Sequence, residues 1–178
     1  MDFVDDVHLP QFPSPLACEA AGIDMPTLKN WSMRGRRKNL RAVHIGTEER
    51  VRVGGRKELR LNFRRVMQLA ITKELVNLGF GPREASLHAF SFTDTESELP
   101  QSHRMGELFP TGYTLLIVYS ANYSDVVNVQ SDHMWRTVLK SGLGMAEPVC
   151  AAIVNLNRID RRVRTTLGLP LSSPREGA

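Results

Sequence analysis

The sequence predicts an α+β protein, and three observations carry that prediction. Apolar side chains recur every three or four positions through residues 63–78, which is the spacing of an amphipathic helix. Charged and apolar residues alternate on both sides of Gly54-Gly55, which is the spacing of strands. The runs at 114–119 and 126–129 are rich in β-branched and large apolar residues and also favour strands.

Two short helices joined by a tight turn are predicted near the start of the chain. Ser14 is a suitable N-cap for the first helix, and Gly22 can end it with a positive φ. Asp24 can cap the second helix, which covers residues 27–34 and stops at Gly35. Two helices in this arrangement form a helix-turn-helix candidate.

A basic β-hairpin is predicted next. Residues 42–45 and 50–53 favour extended backbone, and residues 58–61 form the return strand. The Gly54-Gly55 pair between them is typical of a two-residue hairpin turn. A hairpin that follows a helix-turn-helix is a wing, so this part of the chain predicts a winged helix-turn-helix domain.

Two further helices complete that domain. Asn62 is predicted to cap the helix over residues 63–78, and the next helix begins at residues 81–84. Arg64 and Arg65 stand at the positive end of the first helix dipole, which is unfavourable unless an anion lies nearby. A DNA phosphate would supply that anion.

The C-terminal part is predicted as a small α/β module. Besides the two runs above, residues 151–156 favour a strand, while 133–140 and 157–167 favour helices. One continuous helix over 147–167 is an alternative that the periodicity leaves open. Four arginines of the final helix are expected to point largely outward: Arg158, Arg161, Arg162 and Arg164.

The chain is therefore divided into five parts. We expect a flexible acidic arm at 1–13, the winged helix-turn-helix domain at 14–92, a linker at 93–107, an α/β module for dimerisation or regulation at 108–169, and a tail at 170–178.

The charge is concentrated in one segment. Thirteen of the 23 Lys and Arg residues lie within residues 29–65, against three acidic residues, which gives that segment a formal charge of +10. The rest of the chain sums to −6. A basic segment on an otherwise acidic protein indicates a nucleic-acid binder, although charge alone also fits a solvated surface loop.

Residues 14–92 resemble the MerR-like winged helix-turn-helix superfamily. The hairpin and the helix over 63–78 follow in the family's order. The resemblance implies sequence-specific binding of double-stranded DNA by a symmetric dimer, and it says little about residues 105–178. The motifs that carry it are Ala17-Cys18-Glu19-Ala20-Ala21-Gly22, Thr27-Leu28-Lys29-Asn30-Trp31 and Gly35.

Two departures limit what the family implies. Ligand-sensing members carry a long coiled-coil helix after the domain, and a strand-rich segment stands there in this chain. Metal-sensing members carry paired cysteines, whereas Cys18 and Cys150 lie far apart. Metal sensing is therefore not expected. The resemblance also extends to excisionases and phage small terminases.

The DNA contacts are expected from the second helix and from the basic residues that follow it. Asn pairs well with adenine, and Arg and Lys pair well with guanine. Trp31 is expected mainly in the core, with its indole near the DNA backbone. The second helix is expected to contribute Thr27, Lys29, Asn30, Trp31 and Arg34. Phosphate or minor-groove contacts are expected from Arg36, Arg37, Lys38, Arg41, Arg52, Arg56 and Lys57.

No catalytic, metal or cofactor site is predicted, and the chain is not expected to be an enzyme. The stretch from Ser120 to Ser124, with Asp125 and His133, could form a hydrolase set on paper, but no nucleophile elbow accompanies it. No Walker motif is present. No apolar run approaches the ~20 residues of a membrane span, and the first residues are acidic, so a cytoplasmic location is expected.

The sequence thus predicts a DNA-binding transcriptional regulator that dimerises through its C-terminal module, by its strand edges or its final helix. Three alternatives stay open. The chain could be an excisionase-like factor that bends DNA, or a packaging adaptor like the phage small terminases. It could also be a protein-binding module whose basic face meets an acidic partner such as RNA polymerase.

Overall fold

The computed structural model describes residues 6–32, 42–46, 48–95, 105–130 and 150–172. Within these residues the protein is mixed α+β, with five helices and two three-stranded antiparallel sheets. The predicted fold class is confirmed at that level. The predicted helix at 133–140 and the predicted stop at Gly35 lie outside the described residues.

Helix α1 (Ser14–Ala21) ends at Gly22, as predicted. The φ of Gly22 is 71°, a left-handed conformation that glycine adopts at no steric cost. Ser14 does not cap the helix, because Pro13 occupies the N-cap position. Its hydroxyl instead donates to the carbonyl oxygen of Leu59, at 2.9 Å.

Helix α2 (Met25–Ser32) begins after Asp24, also as predicted. The carboxylate of Asp24 accepts a hydrogen bond from the backbone N–H of Thr27, at 2.8 Å. Leu28 and Trp31 are the buried residues of this helix, and they attach it to the core.

Strands β2 (Arg50–Val53) and β3 (Arg56–Leu61) form an antiparallel hairpin, which we call the basic hairpin. Gly54 and Gly55 have φ angles of 54° and 83°, so the predicted two-residue turn is confirmed.

The stretch before this hairpin differs from its prediction. Residues 42–45 do not form a strand. The N–H groups of Ala42 and Val43 both donate to the carbonyl oxygen of Trp31, each at 3.0 Å. These bonds tie the backbone of residues 42–43 to the end of α2, and none of the described strands pairs with it.

The described part of the N-terminal arm is packed against the rest of the chain. Phe12–Pro13 forms strand β1, which pairs with β3 so that Phe12 lies opposite Leu61. The Phe12 side chain is completely buried. The prediction of a loose arm is therefore wrong for residues 6–13, because one large aromatic outweighs the acidic, proline-containing composition around it.

Helices α3 (Phe63–Asn77) and α4 (Pro82–Thr93) follow the hairpin and pack against each other. Asn62 caps α3, as predicted, by accepting the N–H of Arg65 at 2.8 Å.

The predicted linker at 93–107 is partly built into this pair of helices. Helix α4 includes Thr93, and the N–H of Gly106 donates to the carbonyl oxygen of Phe92 at 2.9 Å. Residues 96–104 lie outside the described part of the chain.

The second sheet places β4 (Tyr113–Ser120) between β5 (Tyr123–Val129) and β6 (Ala152–Asn155). Helix α5 (Leu156–Leu167) follows β6 directly. The strand at β6 shows that the alternative of one continuous helix over 147–167 is wrong.

The cap of α5 also differs from its prediction. Asn155 caps the helix by accepting the N–H of Arg158 at 3.1 Å. Asn157, which the sequence also offers as a cap for a helix that runs to Leu167, instead accepts the N–H of Thr114 at 2.7 Å and so connects α5 to β4.

Arg164 corrects the prediction that four arginines of α5 point outward. It is buried, whereas Arg158, Arg161 and Arg162 are exposed. Its Nε donates to the Asp160 carboxylate at 3.0 Å. Its guanidinium also lies 4.6 Å from the ring centre of Phe63, so a cation–π contact compensates part of its desolvation.

Both predicted domains contribute side chains to one hydrophobic core. Helix α5 packs against α1 and α3, and its buried Ile159 and Val163 join the cluster that contains Phe63. Leu116 and Val118 of β4 belong to the same cluster. A segment of this size gains from burying its apolar surface against a neighbour.

Candidate nucleic-acid interface

Helix α2 presents a polar surface on one side and apolar anchors on the other. Lys29 and Asn30 are exposed, and Thr27 is half-buried. Hydrogen bonds from Thr27 hold the pKa of Asp24 below its ordinary value, so the cap is a carboxylate at neutral pH. The beginning of the helix is thus fixed locally, and two polar side chains remain accessible.

Trp31 is 9% exposed and belongs to the hydrophobic core. The prediction that it packs mainly in the core is confirmed. Its burial leaves little of the ring surface for direct contact with a ligand.

The basic hairpin carries exposed cations along both strands. Arg52, Arg56 and Lys57 are exposed, as is Arg50, which the prediction of contact residues missed. Arg50 shares a strand face with Arg52, two positions away, and this spacing was the available signal. No salt bridge joins any of the four cations to another described residue.

Two of these cations oppose each other across the hairpin. Arg52 and Lys57 are direct cross-strand partners, and Val53 pairs with Arg56 beside the turn. Like charges in directly opposite positions destabilise a strand pair. An anion bound between Arg52 and Lys57 would remove that repulsion, so this arrangement favours an anionic ligand.

Helix α2 and the hairpin are close neighbours along the backbone. The bonds from Ala42 and Val43 anchor the chain at Trp31, and the hairpin begins at Arg50. The residues from Val43 to Arg50 span at most about 25 Å when fully extended. The end of α2 and the start of the hairpin thus lie within less than one helical turn of duplex DNA, which is about 34 Å.

Five of the predicted contact residues lie outside the described residues: Arg34, Arg36, Arg37, Lys38 and Arg41.

Arg64 and Arg65 have carboxylate partners within the protein. Arg65 Nε lies 3.4 Å from Oε1 of Glu49, and Arg64 Nη1 lies 3.9 Å from Oδ1 of Asp94. The expectation that an anion lies near the start of this helix is met by these two acids, so a DNA phosphate is not required. Sequence reasoning missed both partners, because neither lies on the same turn of α3.

Glu49 is a completely buried carboxylate. Burial raises its pKa, and the charge of Arg65 and a hydrogen bond from the Gly46 N–H act in the opposite direction. That N–H donates to Oε2 of Glu49 at 2.7 Å. Glu49 therefore depends on its polar neighbours to remain charged inside the protein.

The described residues contain little that would serve another chemistry. They include no group of three or more His, Cys, Asp or Glu side chains placed to bind a metal ion. Cys18 is buried, and burial raises its thiol pKa to about 11, which leaves it a poor nucleophile. A cavity beside Asp160 and Leu171 measures about 20 Å³, room for roughly one water molecule.

None of the helices in the described residues is long and apolar enough to cross a membrane.

Comparisons with protein-family models, with curated proteins and with solved structures found no match to this chain.

Proposed function

We propose that the chain is a MerR-like winged helix-turn-helix protein that binds double-stranded DNA in a sequence-specific way and regulates transcription. The observation that carries this proposal is the set of exposed cations on the basic hairpin, which form no salt bridge with another described residue and include the directly opposed Arg52 and Lys57. The hairpin follows a capped helix with exposed polar residues. A duplex is a polyanion with a groove wide enough for a helix, so it fits both features.

Helix α2 is the proposed recognition helix. Asn30 and Lys29 have the chemistry to reach adenine and guanine edges in the major groove, and Thr27 can meet a thymine methyl or a phosphate. Leu28 and Trp31, on the buried side, would hold the helix in place while its polar side enters the groove.

The basic hairpin is the proposed wing. Arg52, Arg56 and Lys57 surround its tip and would contact phosphates or the neighbouring minor groove. Such contacts position a protein on DNA and carry no direct sequence information. With six to ten phosphates neutralised, the log–log dependence of affinity on salt should have a slope of roughly −5 to −9.

The active form is proposed to be a homodimer, because one recognition helix reads only a few base pairs. The apolar residues of α5 are not available for this purpose, since Ile159 and Val163 are buried within the chain. Two apolar side chains of α4, Leu87 and Phe90, are 60% and 46% exposed. They lie three positions apart, on one side of the helix.

Strand β5 lies beside these exposed residues. The hydroxyl oxygens of Ser91 in α4 and Ser124 in β5 are 3.0 Å apart. Within the described residues β5 pairs only with β4, so it is an edge strand that can extend a sheet. We therefore assign the dimer contact to α4 and the β5 edge of the C-terminal module.

The dimer is tested by replacing Leu87 and Phe90 together with lysine. Mass analysis at micromolar concentration should give a dimer for the unmodified protein and a monomer for this variant. Leu171→Lys is the matched control, because Leu171 is also 54% exposed and belongs to neither surface. An unmodified protein that is a monomer would contradict the dimer.

The DNA-binding function is tested by selecting random-sequence duplexes with the purified protein at near-physiological salt and sequencing them. An enriched inverted repeat would support a symmetric regulator. Direct repeats would instead indicate an excisionase-like role. Binding that disappears with salt and enriches no motif would contradict sequence-specific recognition.

The recognition helix has its own test in the same assay. Asn30→Ala should relax the preference at one or two base positions. Asn77→Ala is the control, because Asn77 is an exposed asparagine on α3, outside the proposed interface. If Asn30→Ala enriches the same DNA motif as the unmodified protein, Asn30 of α2 does not contact the bases as proposed.

A further inference from the structure

A buried carboxylate joins the basic hairpin to the helices beneath it. The backbone of Glu49 is part of the hairpin, since its carbonyl oxygen accepts the N–H of Arg60 at 2.8 Å. Its side chain is completely buried and points to α3, where Oε1 lies 3.4 Å from Nε of Arg65. One residue thus connects the strand ladder to the helix.

Arg65 extends the connection to α4. Its Nη1 lies 3.8 Å from Oδ2 of Asp94, at the end of that helix. The same guanidinium donates to the side-chain oxygen of Gln68, whose amide donates to the hydroxyl of Ser86 at 3.1 Å. We call these five side chains, which run from the hairpin through α3 to α4, the buried network.

Apolar packing supports β3, through Leu59 and Leu61 on the main core and through its pairing with β1, far more than it supports β2. Val51 and Val53 of β2 are only half-buried, and Leu61 at the far end of β3 is the one buried residue of the two strands. A buried carboxylate is stable only while its cation and hydrogen-bond donors stay in place. The Glu49–Arg65 pair, at 3.4 Å, therefore ties the start of β2 to α3, on the strand that has no buried side chain of its own.

We propose that Glu49 and Arg65 are positioning residues for the basic hairpin, and that they control DNA affinity without touching DNA. Their burial keeps both from a duplex, while the cations that would contact it lie on the hairpin that they hold. This inference rests on the proposed function.

A double-mutant cycle tests the coupling in the full-length chain. Arg56→Ala should weaken duplex binding about fivefold, as expected for one lost phosphate contact at physiological salt. In a Glu49→Gln background the same change should cost less than about twofold, because the hairpin is no longer held in place. Asn30→Ala should cost the same in both backgrounds. Equal effects of Arg56→Ala in both backgrounds would overturn the proposal.

The control for charge is Glu58→Gln, which removes an exposed carboxylate from the same hairpin. It should leave the effect of Arg56→Ala unchanged. If Glu49→Gln does not fold, Arg65→Lys replaces it, because lysine keeps the charge and loses the planar fork that reaches both Glu49 and Asp94.

Amide hydrogen exchange separates this proposal from the proposed function, because it needs no DNA. In Glu49→Gln, amides of Arg50–Val53 and Arg56–Leu61 should exchange at least about tenfold faster, while those of Tyr113–Ser120 stay unchanged. If the unmodified protein binds no duplex, the proposed function fails, but the exchange rates still test whether Glu49 positions the hairpin. Unchanged exchange in the hairpin would overturn the positioning role.

Discussion

The two hairpins in the described part of the chain have the same simple topology and are held in opposite ways. In the basic hairpin, β2 has no buried residue and β3 has one. In the hairpin of β4 and β5, five consecutive residues of β4 are buried, from Thr114 to Val118. One hairpin is a structural centre, and the other is a charged projection held at its base by a buried ion pair.

The buried strand is covered on both faces. Leu116 and Val118 pack in the main core with the helices, whereas Leu115 and Ile117 belong to a separate apolar cluster. A strand of this kind contributes stability along its whole length. Arg52 and Lys57 of the basic hairpin are directly opposed like charges, so this pair does not stabilise the free protein.

The largest expected effect is on the buried hairpin. Leu116→Ala should lower the free energy of unfolding by about 2–5 kcal/mol, since it removes a fully buried side chain. Val51→Ala, on the half-buried basic hairpin, should lower it by less than about 1.5 kcal/mol. Urea unfolding monitored by circular dichroism measures both. Equal losses would show that the two hairpins do not differ in their contribution to stability.

The next effect concerns the turn of the basic hairpin. Gly55 has a φ of 83° with no atom close enough to obstruct a side chain, so Gly55→Ala should cost about 1–2 kcal/mol from backbone strain alone. Gly81→Ala is the control, because Gly81 has a φ of −64° and also has room. If both changes cost the same in thermal unfolding, the turn conformation is not what holds the tip in place.

The features that sequence reasoning predicted correctly depend on short stretches of chain. Asp24 and Asn62 cap helices, and Gly54-Gly55 makes a turn, through bonds or angles within three residues. In each case the residue type limits the local conformation, so neighbours further along the chain are not needed to identify it.

The features that it missed depend on contacts between distant segments. The burial of Phe12 on Leu61 and the pairing of Glu49 with Arg65 have no local pattern. Arg164 likewise looks like one more exposed cation until α5 is placed on Phe63. For the candidate site, the sequence indicated the accessible cations of the basic hairpin but not the buried Glu49 at its base.

A smaller effect, about 1 kcal/mol, is expected from Lys57→Ala, and it should have opposite signs on stability and binding. Removing one of two opposed cations should leave the free protein equally or slightly more stable. It should also weaken duplex binding about fivefold and flatten the log–log salt slope by about 0.9. Arg158→Ala removes an exposed charge from α5 and is the control. An unchanged salt slope in Lys57→Ala would remove this residue from the phosphate contacts.

The smallest effect is a difference in how two buried groups respond to acid: His88 of α4, in the helical part of the core, and Glu49 at the base of the basic hairpin. His88 of α4 is buried, which lowers its pKa below the ordinary value of 6.5 despite the nearby Glu84. The unfolded chain then binds a proton that the folded chain binds only at lower pH, so the free energy of unfolding should fall as the pH drops below about 6.5. The pKa of Glu49 is raised above its ordinary value of 4.5, so the folded chain binds this proton more readily than the unfolded chain. The stability should therefore rise as the pH drops through the folded-state pKa of Glu49 towards 4.5.

Unfolding free energies measured between pH 7.5 and 5 separate the two groups when variants are compared with the unmodified protein. The unmodified protein should lose stability relative to His88→Gln as pH falls, because only it carries the histidine titration. It should gain stability relative to Glu49→Gln as the series is extended towards pH 4.5, the ordinary value of that carboxyl, because only it can protonate the carboxylate. If the two differences in unfolding free energy had the same sign, burial would not set the pKa of one of these two groups. The contrast between an apolar centre and an ionic hairpin base would then lose its electrostatic support.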